Sequence, residues 1–360
     1  MDEKVSPFPL VRELLVAATP GPLGTWVVLA LKQIASAVLG EPIEVRELDT
    51  DQATRSFLTE RPEGPVLLVT HFPRPELVNY VARNETPIIV AIDNPSYSVA
   101  VHVKDGSLGP RDAVKPVTQS LSLLTALAPV ERSVLLSTGD YHRPVTHVVA
   151  SLAIALGVSR ENIGSIARAF RGWEVTTLAR SIERHVFHNG TFAELDELIS
   201  PSDGATIIRS TKGLIDRILG EEPEEIVWNR EFFYDGTTLT SPPPVTVDMT
   251  GPARCLFYGP YLHLPVGRWE ARLLLGFSAQ TTDTWLKVDL YTDDVQAIFY
   301  SRVKRGGVYA MPITFDVSDP RQPIQIRIFI ERGEIDGQMG LGVVRLKRVE
   351  VEPNEQEDSV

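Results

Sequence analysis

Three short apolar runs, each closed by a turn that carries polar groups, do most to constrain the fold. Leu14-Leu15-Val16-Ala17-Ala18 ends in Thr19-Pro20-Gly21-Pro22-Leu23-Gly24-Thr25-Trp26. Val66-Leu67-Leu68-Val69 ends in Thr70-His71-Phe72-Pro73, and Pro87-Ile88-Ile89-Val90-Ala91-Ile92 ends in Asp93-Asn94-Pro95. Continuous apolar strands of this kind are buried on both faces, as in a parallel sheet covered by helices. Helical patterns fall at about 26–38, stopped by Gly40, and at about 75–81. A fourth run, 133–136, leads through Ser137-Thr138-Gly139-Asp140 into a helix opening near Pro144, a residue suited to the first helical position. In an open α/β sheet, ligands bind at the carboxyl ends of the strands. The polar turns are therefore where chemistry is expected.

A length of 360 residues suits about two domains. With 43% hydrophobic and 23% charged residues, the chain is expected to bury a packed core. The net charge of -12 argues against nucleic acid as a bulk partner, which needs a basic face. Cys255 is the only cysteine, so one chain builds neither a disulfide nor a cysteine-based zinc site. The N-terminus, Met1-Asp2-Glu3-Lys4, lacks a signal pattern, and a cytoplasmic location is the expectation. The longest apolar stretch, 145–158, contains His147 and is too short to span a bilayer, so no membrane span is expected.

The composition shifts near residue 235. Asp235-Gly236 and Ser241-Pro242-Pro243-Pro244 mark a linker, the prolines being stiff and without N–H donors. Short alternating runs then recur between turns, at 269–275, 285–291, 298–303, 324–330 and 341–346. That pattern predicts an antiparallel β-sandwich of about seven or eight strands. The domains expected are an α/β domain over 1–235, a β-sandwich over 236–352 and an acidic tail over 353–360.

The turns of the first half resemble those of the P-loop-type sulfotransferases, which move a sulfuryl group from the donor PAPS to a hydroxyl or amine. The likeness covers roughly residues 12–103. The family's Pro-Lys-Ser-Gly-Thr-Thr-Trp turn is met by Pro20-Gly21-Pro22-Leu23-Gly24-Thr25-Trp26. Its Lys-Thr-His-x-Pro is met by Val69-Thr70-His71-Phe72-Pro73, and its Arg-Asn-Pro-x-Asp-x-x-x-Ser by the segment from Asp93-Asn94-Pro95 to Val101. Order and spacing agree. The resemblance implies an α/β parallel sheet covered by helices, with His71 as the general base, a role that suits a side chain titrating near neutrality. It also implies that Gly21, Gly24, Thr25 and Trp26 face the donor, with Asn94 and Ser98 at its 3′-phosphate.

The departures concern charge. Gly21 stands where the family's lysine holds the bridging phosphosulfate, Val69 where a lysine precedes Thr-His, and Asp93 where an arginine binds phosphate. A carboxylate a few ångströms from a phosphate repels it by about 4 kcal/mol per charge pair at an effective dielectric of roughly 20. Lys104, Arg111 and Lys115 could supply positive charge from outside the motif. His71, Asp93, Asp140 and His142 suggest a metal-dependent hydrolase as a third reading. No His-x-His or Glu-x-x-His spacing supports it, and no metal ligand is assigned.

The segment from Cys255 to Trp269 resembles β-sandwich modules of bacterial polysaccharide-handling proteins. That resemblance implies a saccharide or glycan partner, with Tyr258, Tyr261, Trp269 and Trp285 as stacking surfaces, although aromatic side chains on alternating strands also build cores. The leading expectation is sulfuryl transfer to a saccharide or other hydroxyl acceptor in bacterial surface-polysaccharide metabolism. The alternative is a non-catalytic protein of the same fold that binds a glycan or a protein partner through its sandwich. Self-association into a homo-oligomer is left open.

Overall fold

The computed structural model describes residues 10–106, 108–131, 134–164, 166, 176–188, 190–238 and 242–349. The acidic tail expected over 353–360 lies outside the described residues. The chain divides into two compact units, residues 1–204 with 217–221, and residues 205–216 with 222–360.

The first unit is built on five parallel strands: β1 (Glu13–Ala18), β2 (Glu44–Glu47), β3 (Val66–Thr70), β4 (Ile88–Ile92) and β5 (Val134–Ser137). Their order is β2-β3-β1-β4-β5. Leu15 pairs with Leu68 on one side and Ile88 on the other, and every residue of β3 and β4 is buried. That burial is why these strands read as unbroken apolar runs. Strand β2 is an edge strand with no buried residue, so it left no such run.

Helices connect the strands. They are α1 (Pro22–Leu39), α2 (Asp51–Thr59), α3 (Pro75–Arg83), α4 (Pro95–Lys104), α5 (Pro110–Leu124), α6 (Val145–Ala155) and α7 (Leu178–His185). Helix α1 starts four residues earlier than its pattern suggested, because Pro22 occupies its first turn. It ends at Gly40, whose φ of 76° is open to glycine at little cost. Leu23, Trp26, Val27, Ala30, Leu31, Ile34 and Ala35 recur at helical spacing and are all buried. By length and composition α1 could cross a membrane, but half of that window is buried inside the protein.

The second unit holds β6 (Ile226–Asn229), β7 (Tyr234–Asp235), β8 (Val247–Asp248), β9 (Arg254–Leu262), β10 (Gly267–Phe277), β11 (Thr284–Tyr291), β12 (Val295–Val303), β13 (Gly307–Val317), β14 (Ile324–Ile330) and β15 (Gln338–Arg348). They form two five-stranded antiparallel sheets: β13-β10-β15-β6 with β8 on β15, and β12-β11-β14-β9-β7. Trp269, Ala271, Leu273 and Leu275 of the first and Leu286, Val288, Leu290, Ile326 and Ile328 of the second are buried apolar residues. The α/β-plus-sandwich class read from the sequence is thus the class observed. The strands beyond the expected seven or eight are β6, β7 and β8, of four, two and two residues, too short to alternate visibly. β6 and β7 pair with β15 and β9, although they precede the composition shift near 235. Pro312 lies in β13, at an edge of its sheet, where a missing N–H is tolerated.

Candidate functional site

The strand order of the first sheet reverses between β1 and β4, the position where open α/β sheets form a crevice. Three turns meet along this carboxyl edge, and a carboxylate of the chain itself caps each of them.

Asp93 follows β4 and is 2% exposed. Its Oδ2 accepts a hydrogen bond from the Leu23 N–H at the start of α1 (2.8 Å). Its Oδ1 accepts from the Tyr141 hydroxyl (2.6 Å) and from the Asn94 N–H (2.8 Å). The Asp93 N–H donates to Thr19 Oγ1 (2.9 Å), tying the end of β4 to the turn after β1. Burial pushes the Asp93 carboxyl up to about 6, against the opposing effect of its three donors. Tyr141 is itself raised by burial and then by the Asp93 charge beside it. Its ring leans on Phe192, which stacks on Tyr97 and meets Phe187 edge-on.

Asp49 does the same for the turn after β3. Its Oδ1 accepts from the Thr70 hydroxyl (3.0 Å), the His71 N–H (2.6 Å) and the Phe72 N–H (3.3 Å). Asp140 serves the turn after β5: its Oδ2 accepts from the Ser137 N–H in a capping box, and its Oδ1 from Arg143. Neither Asp93 nor Asp140 is therefore available as the metal ligand weighed for it, and the described residues contain no group of three or more metal-ligating side chains.

His71 is half-buried at the end of β3. Its Nδ1 lies 2.8 Å from the Ala18 carbonyl, which can only accept, so Nδ1 carries a proton. Its carbonyl accepts from Ser120 Oγ (2.6 Å). A Cβ built at Gly24 would lie 4.0 Å from His71 Cε1, so the ring does sit beside the turn after β1. His102 of α4 lies near it; burial lowers its pKa, with Asp105 opposing and His71 adding to the fall. Ser98, one helical turn earlier, is fully buried, and neither its Oγ nor His102 Nε2 has a hydrogen-bond partner among the described residues.

The other motif residues play structural parts here. A Cβ on Gly21 would lie 2.5 Å from Asp93 Oδ2, and one on Gly24 would lie 2.7 Å from Ala18 Cβ. Thr25 is exposed and its hydroxyl donates back to the Gly21 carbonyl (3.1 Å). Trp26 is fully buried, its Nε1 donating to Ser181 Oγ (2.9 Å), so no donor molecule can reach it. Asn94 caps α4 through the Ser96 N–H (2.9 Å). PAPS does not fit these residues: the cradle at the start of α1, where a phosphate would sit, already contains the Asp93 carboxylate.

The second unit presents a different surface. On the sheet β12-β11-β14-β9-β7, alternation turns Leu286, Val288 and Leu290 inward and Trp285, Lys287, Asp289 and Tyr291 to the other face, where Asp289 is covered by its neighbours and only 1% exposed. Register sets the outward residues in rows: Arg302 beside Trp285; Tyr300, Lys287 and Phe329; Ile298, Asp289, Arg327, Tyr258 and Tyr234; then Tyr291 and Gln325. Arg327 holds Asp289 with two bonds (2.6 and 3.0 Å), and its guanidinium lies 4.5 Å from the Tyr291 ring centroid. Tyr258 stacks on Tyr234 and meets Tyr261 edge-on; the Tyr261 hydroxyl accepts from Gln325 (2.8 Å). The guanidinium groups of Arg332 and Arg302 lie 4.7 and 5.4 Å from the Trp285 ring. Of the four expected stacking residues, Tyr258, Tyr261 and Trp285 gather on this sheet. Trp269 does not: it is 4% exposed, on the other sheet, with its Nε1 bonded to the Pro265 carbonyl.

No family model matches the sequence, and no curated protein matches it. Solved structures resemble it at a distance. A mouse sulfotransferase, SULT7A1 complexed with PAP, shares 12% identity over 57% of this chain and 83% of its own, with a TM-score of 0.38. The CBM36-1 domain of a multidomain xylanase from the hindgut metagenome of Trinervitermes trinervoides shares 11% over 36% of this chain and 100% of its own, with a TM-score of 0.24. TmCBM61 in complex with β-1,4-galactotriose shares 11% over 39% and 96%, with a TM-score of 0.23.

Proposed function

We propose that this chain is a non-catalytic protein with a sulfotransferase-like parallel-sheet unit, and that it binds a glycan through its β-sandwich. The observation that carries the proposal is the outward face of β12-β11-β14-β9-β7. Sugars bind where aromatic rings meet fixed polar groups that orient hydroxyls. Tyr258, Tyr261, Tyr291 and Trp285 supply rings there, and the part-exposed Arg327, held in place by the buried Asp289 carboxylate, supplies a fixed donor. The filled cradle at α1 speaks against sulfuryl transfer from PAPS, the first reading of the sequence. Handling of bacterial surface polysaccharide in the cytoplasm is the setting this reading carries forward. Titration of the full chain with neutral and acidic polysaccharides tests it. Saturable binding that Tyr258→Ala and Tyr291→Ala both weaken is the expected result. Binding to neither class, or binding indifferent to both substitutions, would sink the proposal.

A further inference from the structure

A strand, a glycine turn and a helix N-terminus together present backbone N–H groups and a positive dipole end to anions. In this chain the strand, glycine turn and helix are present, with two turn donors lost to Pro20 and Pro22, and the anion is internal. The Asp93 carboxylate takes the Leu23 N–H, the Asn94 N–H and the Tyr141 hydroxyl, all at 2.6–2.8 Å. Gly21 makes room for it, since a Cβ there would lie 2.5 Å from Oδ2. The φ of Gly21 is 162°, an extended value, so space and not backbone freedom is what the glycine provides. Pro20 and Pro22 flank it without N–H groups of their own. The donors that remain are therefore few, and Asp93 takes the Leu23 N–H among them.

We infer that Asp93 is a built-in substitute for a donor phosphate: its side chain occupies the anion cradle between the turn after β1, the first turn of α1 and Tyr141, and closes it to outside anions. The cradle keeps its donors and is satisfied from within the chain. It follows that removing the Asp93 side chain turns the same donors into a site for a small external oxyanion. This inference stands apart from the glycan reading, which concerns the other unit and survives or fails by separate measurements.

Thermal unfolding of the full chain tests it. The wild-type protein is expected to show no saturable rise in melting temperature with PAP or acetate, and with sulfate only the unsaturable general salt effect. Asp93→Gly removes a CH2–COO⁻ group, and acetate replaces that group closely. The variant is expected to melt lower and to regain part of the loss, saturably, as acetate rises against a chloride control. A wild-type protein stabilised by PAP overturns the inference, because the cradle would then be open. So does a folded Asp93→Gly protein whose melting ignores both acetate and sulfate. Should that variant fail to fold, Asp93→Ser shortens the side chain while keeping a hydroxyl acceptor, and the same anion titration is read on it.

Discussion

The carboxyl edge of the parallel sheet and the outward face of the β12-β11-β14-β9-β7 sheet both gather polar and aromatic side chains, but they use them in opposite ways. At the edge, Asp49, Asp93 and Asp140 each take donors from the turn they cap. On the face, Tyr300 is 62% exposed, and Trp285, Tyr258, Tyr261 and Tyr291 are half-exposed. A strand-end position is thus not by itself a binding site. What differs is exposure: the edge carboxylate Asp93 is buried against the turn it caps, whereas the rings of the face are at least partly exposed, even though Asp289 and Gln325 beneath them are buried and bonded within the sheet.

The largest test of that contrast is Asp93→Ala. It takes the acceptor from the buried Leu23 N–H and from the part-buried Asn94 N–H and Tyr141 hydroxyl. Leaving a buried donor unsatisfied costs about 1–3 kcal/mol. Urea denaturation should show a loss of that order. A loss below about 1 kcal/mol would mean that the donors find solvent, and that the edge is as open as the face.

A pH series sharpens the same point. Burial holds the Asp93 carboxyl at about 6 in the folded protein, against roughly 3.9 in an unfolded chain. The folded state therefore binds this proton more tightly. The stability contributed by the group is fully present below about pH 4 and is lost as the pH rises through about 6. Two pKa units correspond to about 3 kcal/mol. Asp93→Asn does not titrate, so the stability of the wild type relative to Asp93→Asn should fall by up to about that amount between about pH 4 and 7. A difference that grows with pH would show that the three donors outweigh burial and favour the carboxylate.

The layered fold was legible in the sequence because β1, β3 and β4 are buried on both faces and announce themselves as apolar runs. The capping roles were not. Asp93 reads in sequence as a lost arginine; that it grips Leu23, seventy residues away, depends on which strands are neighbours. Asp49 gave no signal, since β2 before it is short and exposed. The tryptophans show the same limit in the second unit. Trp269 and Trp285 both lie near the start of an apolar strand, yet one is in the core and the other on the outward face. Alternation shows that a strand has two faces, but register and sheet packing decide which one is covered.

On the face itself the expected effects are smaller. An aromatic contact is worth about 0.5–1.5 kcal/mol, so Tyr258→Ala should weaken glycan binding by up to about tenfold. The parallel-sheet unit should not register this change, and the pH response of Asp93 in the Tyr258→Ala protein should match the wild type. Calorimetric titration of the full chain with the bound polysaccharide provides the measurement. An unchanged affinity would move the binding surface away from this row of the sheet.

Thr25→Ala is expected to do least, and it separates the two views of the edge sharply. The motif likeness makes Thr25 a donor-contacting residue, and an active donor site would lose affinity for PAP without its hydroxyl. In the structure Thr25 is exposed and its hydroxyl donates to the Gly21 carbonyl, at 3.1 Å. Surface substitutions of this kind usually change stability by less than about 0.5 kcal/mol. Alanine also has a higher helix propensity than threonine, which offsets part of the lost bond. Thr25→Ala should therefore leave the urea midpoint, the pH response of Asp93 and the glycan affinity as they are in the wild type. A marked change in PAP affinity on this substitution alone would show that the edge still reads phosphate, and that Asp93 yields its place when a donor arrives.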